Sequence, residues 1–127
     1  MSVDLSRYLK AQNSNYTNIY LQILNKQYDS GWIEFVFPRY VEDCSSIRSK
    51  QYGLINQKEA KSFWKTKLLR RNYIEMLKVI NKMTKEEYEN VFSERGRFKI
   101  KQSLDIFSDY AQDEDLNIIQ DFVGKYY

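Results

Sequence analysis

A helical repeat of apolar residues runs along most of this chain and constrains its fold more than any other feature. Tyr16, Ile19, Tyr20, Ile23 and Leu24 follow the i, i+3, i+4, i+7, i+8 spacing of a core-facing stripe. The same period returns in Leu69, Tyr73, Met76, Leu77 and Ile80, in Ile100, Leu104 and Phe107, and in Leu116, Ile119, Phe122 and Val123. Among 127 residues there are 1 Pro and 4 Gly to interrupt it. No internal repeat, low-complexity stretch or Pro/Gly/Ser linker marks a boundary, and the length suits one hydrophobic core. The expectation is an all-α fold of six or seven helices in a single domain, residues 1–127.

Cap signals divide the pattern. Asp4 is placed to cap a short helix that buries Leu5, Tyr8 and Leu9 and ends near Asn13, with Ser14 or Asn15 capping a second. Asp29-Ser30-Gly31 reads as a turn or cap before the densest apolar run, Trp32-Ile33-Glu34-Phe35-Val36-Phe37, which Pro38 ends. Propensity favours a strand there. No second run can pair with it, however, and a lone buried strand would orphan its backbone donors, so a short buried helix capped by Asp29 or Ser30 is expected. Tyr40 to Tyr52 reads as a polar loop with one short helical piece. Asn56 with Glu59 and Thr84 with Glu87 are capping boxes, and Thr66 caps a fresh start. Arg95-Gly96-Arg97 reads as a basic connection into a helix over residues 98–108, and Asp113, Glu114 and Asp115 suit the positive end of a last helix.

Histidine is absent and Cys44 is the one cysteine. A Ser/His/Asp triad, a Cys/His dyad, a histidine base and His-ligated zinc are therefore closed to this chain, as is an internal disulfide. Cys44 has no CxxC partner and reads as incidental. The four glycines stand apart, so no phosphate-cradling loop exists and no cofactor is expected. Asp109 with Asp113, Glu114 and Asp115 lacks calcium-loop spacing, and no metal site is expected. The N-terminus lacks a signal peptide's apolar core, and no apolar run approaches the roughly 18 residues of a membrane span, which makes the cytoplasm the default location with no membrane partner.

Charge is distributed unevenly behind a net +3. Residues 48–101 carry 15 bases against 6 acids, whereas residues 102–127 carry 1 base against 6 acids. Such a division means either an anion-binding face or two faces that neutralise each other, within the fold or across a homo-oligomer. The dense cluster Lys65, Lys67, Arg70 and Arg71 invites a nucleic-acid reading, against which the small net charge and acidic tail argue. Tyrosine, at 11 residues beside 7 Phe and 2 Trp, reflects either an AT-rich codon bias or a Tyr-rich binding surface.

The order of residues resembles a known family. Asp4-Leu5, Arg7-Tyr8, Ala11-Gln12, Tyr16, Trp32 with Phe35-Val36-Phe37-Pro38, Tyr52, Glu59-Ala60, Phe92, and Lys99 with Ser103 and Phe107 are similar to the domain of unknown function eighteen-ten family, small bacterial and viral proteins sometimes mislabelled calpastatin. The likeness spans nearly the whole chain and is most specific from Trp32 to Pro38. It implies an all-helical domain and brings no established activity. Departures accompany it: Gly31 stands where the family has His, Glu34 replaces a second Trp, Arg39 a Gln and Asn72 an Arg, and an acid ahead of Lys99 falls at Gly96 or Arg97. If that His is the family's base or ligand, this member has lost it.

Two groups form the candidate ligand site. A charged Glu34 inside an apolar run must face solvent, a ligand, or a cation such as Arg39 or Arg7. Trp32 and Tyr40 are aromatic faces on which a base can stack, with Phe37 beside them. Arg95, Arg97 and Lys99, with Ser103 and with Arg48, Lys50 and Lys101, supply donors for phosphate. Each group also has a plain reading, core aromatics and a solvated charged face. Together they point to non-catalytic binding of a small anionic, nucleotide-like ligand, which in a small phage-like protein would sequester a host immune nucleotide signal. The alternative is a protein–protein interaction module, through self-association or a host factor. A third reading, a His-free enzyme using Glu34 with Lys or Tyr, leaves catalysis open, with the balance against it and no catalytic residue assigned.

Overall fold

The computed structural model describes residues 3–29 and 31–127. Among these the fold is all-α: α1 (Ser6–Leu24), α2 (Ile33–Val36), a 3-10 turn (Val41–Asp43), α3 (Ile47–Gln51), α4 (Gln57–Lys65), α5 (Lys67–Ile80), α6 (Lys85–Val91), α7 (Glu94–Phe107) and α8 (Asp113–Tyr126). The central element is α5, packed against α1, α2, α4 and α8. Its buried residues Leu69, Tyr73, Ile74, Met76, Leu77, Val79 and Ile80 cover most of its circumference, as a helix enclosed on several sides requires. Phe63 and Trp64 of α4, Tyr73 of α5 and Phe107 of α7 meet ring to ring, with Trp64 and Phe107 stacked at 5.4 Å and Trp64 and Tyr73 edge-to-face at 5.3 Å.

The N-terminal region corrects the expected division into two helices. α1 is continuous: Tyr8 and Gln12 are buried in its first half and Ile19 and Ile23 in its second, and the half-buried Tyr16 carries the same face between them. Asn15 caps nothing; its Nδ2 donates back to the Ala11 carbonyl one turn earlier, at 2.7 Å. Asp4 accepts from Ser6 N at 2.9 Å, one residue ahead of the N-cap position, Leu5.

The apolar run is a single buried turn of helix, α2, as the missing strand partner requires. Asp29 does not cap it, since the N-cap position is Trp32, without a side-chain cap; the other expected cap, Ser30, lies outside the described residues. After Pro38 the backbone makes an isolated parallel bridge between Tyr40 and Leu54, in which Val41 N donates to Leu54 O at 2.8 Å and Leu54 N to Arg39 O at 2.7 Å. The Thr84–Glu87 box forms reciprocally. Asn56 caps α4 through Glu59 N, but the Glu59 carboxylate accepts from Ile55 N instead of closing the box.

Arg95-Gly96-Arg97 is not a connection. It is the first turn of α7, capped by Ser93, whose Oγ accepts from Gly96 N at 3.1 Å. Among the described residues no helix is long and apolar enough to cross a membrane.

Candidate functional site

Packing against α1, α5 and α7 places α2 so that Glu34 lies 6 % exposed in the interior. Lys99 Nζ of α7 donates to its Oε1 at 2.7 Å, and Arg39 Nη2 lies 3.7 Å from Oε2. The equally buried Arg39 also donates to the Asp43 carbonyl at 3.1 Å and to Gln102 Oε1 at 2.7 Å. Glu34, Arg39 and Lys99 are therefore together, as expected of a carboxylate in an apolar run, but each already has its counter-charge. Arg7, the other expected partner of Glu34, belongs to Glu59.

The remaining sequence-derived candidates divide between core and surface. Trp32 and Phe37 are enclosed by Phe92, Tyr28 and Tyr73, so neither ring offers a face to a ligand; their expected stacking role gives way to core packing. Trp32 Nε1 donates to Gln22 Oε1 at 3.1 Å. Ser103 is fully buried and pairs with the Tyr73 hydroxyl at 3.0 Å. Tyr40 is half-buried, and burial together with the neighbouring Tyr110 pushes its phenol up to about 12. Arg97 bridges to Glu89 at 3.2 Å, while the exposed Arg95 donates to Ser45 Oγ at 3.1 Å. Part of the basic middle is paired within the fold: Lys101 pairs with Asp105, and Arg70 lies 3.8 Å from Asp115 in the acidic tail.

A site that the sequence did not single out lies on the opposite side of α2, between α1 and the segment around α3. Arg7 clamps these elements: its Nη2 donates to Glu59 Oε1 at 2.5 Å and to the Gly53 carbonyl at 2.9 Å, and its Nε to the Gln51 carbonyl at 3.0 Å. Tyr8 adds a hydroxyl bond to the Tyr52 carbonyl at 2.6 Å. Beside this clamp opens a cleft of about 630 Å³, whose lining includes Arg7, Lys10, Asn15, Phe35, Arg48 and Tyr52. Three cations line it and no carboxylate does. Lys10 and Arg48 make no ion pair with any described residue. A smaller hollow of about 210 Å³ shares Asn15, Phe35 and Arg48 with it. Arg48 also covers Gly31, where an added Cβ would sit 2.8 Å from its Nε. The available signal was the polar stripe Lys10, Ser14, Asn15 and Asn18 on α1; what joins it to Arg48 is the packing of α2, which no local pattern encodes.

The match to a family model, Protein of unknown function (DUF1810), spans residues 2–127. The chain belongs to the DUF1810 family. A solved relative in fold is the conserved hypothetical protein Rv1873 from Mycobacterium tuberculosis, with a TM-score of 0.85 at 23% identity, covering 98% of this chain and 87% of that one. That likeness shows the fold alone. No curated protein matches the chain.

Proposed function

We propose that this DUF1810 protein is a non-catalytic binder of a small anionic, nucleotide-like ligand, seated in the cleft between α1 and α3. The observation that carries the reading is the cleft's lining, three cations without a carboxylate. Arg48 and Lys10 have no ion-pair partner among the described residues, so a phosphate or carboxylate brought between them needs to displace no ion pair seen there. The half-buried Tyr52 gives the cleft an aromatic edge suited to a base or sugar, backed by the buried Phe35 at 5.3 Å. The cleft holds no imidazole, thiol or carboxylate to move a proton near neutral pH, which supports binding over turnover. This reading keeps the ligand class expected from the sequence and moves it away from Glu34 and Lys99, whose charges are already paired.

Calorimetry against pyrophosphate, ADP-ribose, NAD and cyclic nucleotides, with product analysis of each mixture, tests it. A tight complex that returns the ligand unchanged and weakens about tenfold in Arg48→Ala supports the reading. Turnover, or full affinity in Arg48→Ala, refutes it. If no anion binds, the interaction-module reading takes over; Ile47 and Ile55, 90% and 69% exposed around α3, favour it.

A further inference from the structure

Between α1 and α5 a second cleft, of about 440 Å³, is lined in part by Gln12, Tyr16, Thr17, Arg71, Asn72 and Glu75. Its floor is a chain of buried amides with a fixed direction. The Phe35 carbonyl can only accept, so Gln12 must turn its Nε2 toward it, and does so at 2.8 Å. That leaves Gln12 Oε1 facing Asn72, which must donate through Nδ2, at 2.9 Å. Asn72 Oδ1 is consequently left as an acceptor without a hydrogen-bond partner among the described residues, on a side chain only 8% exposed. On the same wall the Tyr16 hydroxyl is buried and makes no hydrogen bond within 3.5 Å among the described residues, although the Glu75 carboxylate lies beside it and, after burial, helps to push its phenol up. A buried hydroxyl without a hydrogen bond is costly in a protein that folds for packing alone, and Asn72 Oδ1 beside it opens onto the cleft. Arg71 and Glu75 at the rim make no ion pair with any described residue.

We propose that this cleft is a second binding site, which takes the donor–acceptor edge of a nucleobase. Asn72 offers Oδ1 and its remaining N–H side by side, the pattern with which an asparagine reads adenine. The planar guanidinium of Arg71 is available to cover the face of the ring, and the Tyr16 hydroxyl reaches a polar ring atom or sugar oxygen. Residues 12, 13, 16 and 17 of α1 line this cleft, whereas residues 10, 11, 14 and 15 line the cationic one, so the two sites occupy different faces of the same helix and each stands if the other fails.

Adenosine, which carries no phosphate, is the probe, with N6,N6-dimethyladenosine as a control that keeps the ring but removes the donor. In heteronuclear NMR titrations adenosine should saturably shift the Gln12 and Asn72 side-chain amide signals, with the dimethylated nucleoside bound about tenfold more weakly or worse. Tyr16→Phe should melt no lower than the parent protein, since it deletes an unpaired hydroxyl, yet bind adenosine several-fold more weakly. The proposal is overturned by an absence of saturable shifts, by equal binding of the two nucleosides, or by unaltered affinity in Tyr16→Phe.

Discussion

Glu34 holds two cations that would otherwise lie in the interior with little compensation. Removing its charge leaves Arg39, 6% exposed, beside a neutral amide, and stranding one member of a buried ion pair is far costlier than the pair is stabilising. Glu34→Gln should therefore lower the unfolding free energy by about 3–5 kcal/mol in urea titrations. Lys99→Met should cost less, about 1–2 kcal/mol, because Lys99 is partly exposed and Glu34 retains Arg39. Equal losses in the two variants would mean that Arg39 does not depend on Glu34. That Glu34 needs a partner was legible in the sequence, because a carboxylate between aromatics has few alternatives. Arg39 was legible as one such partner, being five residues away and close to the same turn. Lys99 was not: it approaches from α7, 65 residues later, and only tertiary packing decides which of many lysines arrives there.

Elements were legible where side-chain spacing and cap chemistry agreed, as in α4 and α6, and spacing alone sufficed for α5 and α8: the expected Thr66 cap does not form, since its Oγ1 donates back to the Ser62 carbonyl. They misled where a local signal pointed one way and packing another. Asn13-Ser14-Asn15 looks like a helix break, but the inward face from Tyr8 through the half-buried Tyr16 to Ile23 runs straight through it. Arg95-Gly96-Arg97 looks like a loop because glycine weakens helices, yet Ser93 caps the turn that contains it. This makes the glycines informative. A Cβ at Gly96 would meet Ser93 Oγ at 3.5 Å and Ile33 Cδ1 at 3.6 Å, ordinary contacts, and at Gly124 it would meet nothing within 4 Å. Gly96→Ala and Gly124→Ala should each stabilise the protein by about 0.5–1 kcal/mol, read as a higher melting temperature. At Gly53 the same atom would fall 2.7 Å from the Val41 backbone, beside the bridge that joins Tyr40 to Leu54, so Gly53→Ala should destabilise by about 1–3 kcal/mol. A fall in melting temperature for Gly96→Ala would show that the first turn of α7 needs the freedom of glycine after all.

At the scale of the whole molecule, the absence of histidine and the abundance of tyrosine together set the response to pH. No side chain with an ordinary pKa near neutrality is present, so stability should be flat around pH 7. On the acid side, Asp4 is held below its ordinary 3.8 by hydrogen bonds from Ser6, and Glu87 below 4.5 by Lys26 and the Thr84 backbone. A depressed carboxyl supports the fold above its unfolded pKa, and that support fades as the pH falls through the folded value. The alkaline side is steeper. Burial, aided by the Glu34 charge, pushes Tyr28 up from 10.0 to about 12, and burial raises Tyr126 and Tyr127 to about 12 as well. Tyr8, Tyr73 and Tyr88 are raised further, chiefly because their rings are enclosed in the core. Above pH 10 the unfolded chain releases these protons while the folded chain keeps them, so the folded state binds more protons and stability falls as pH rises. Each well-buried ring contributes about 1.4 kcal/mol per unit of pKa separation, and the partly exposed ones contribute less. A core with several such rings should lose its helices cooperatively between about pH 10 and pH 12. Tyrosinate absorbance and the far-ultraviolet helix signal, followed together, should change in a single transition. Tyrosines that ionise one by one near their ordinary pKa, with the helices intact, would mean that the aromatic core is open to water. Tyr88→Phe should raise the pH of that transition, because it removes one buried proton release; the bond between Tyr88 and the C-terminal Tyr127 would be lost with it, at a cost visible as a lower melting temperature at pH 7.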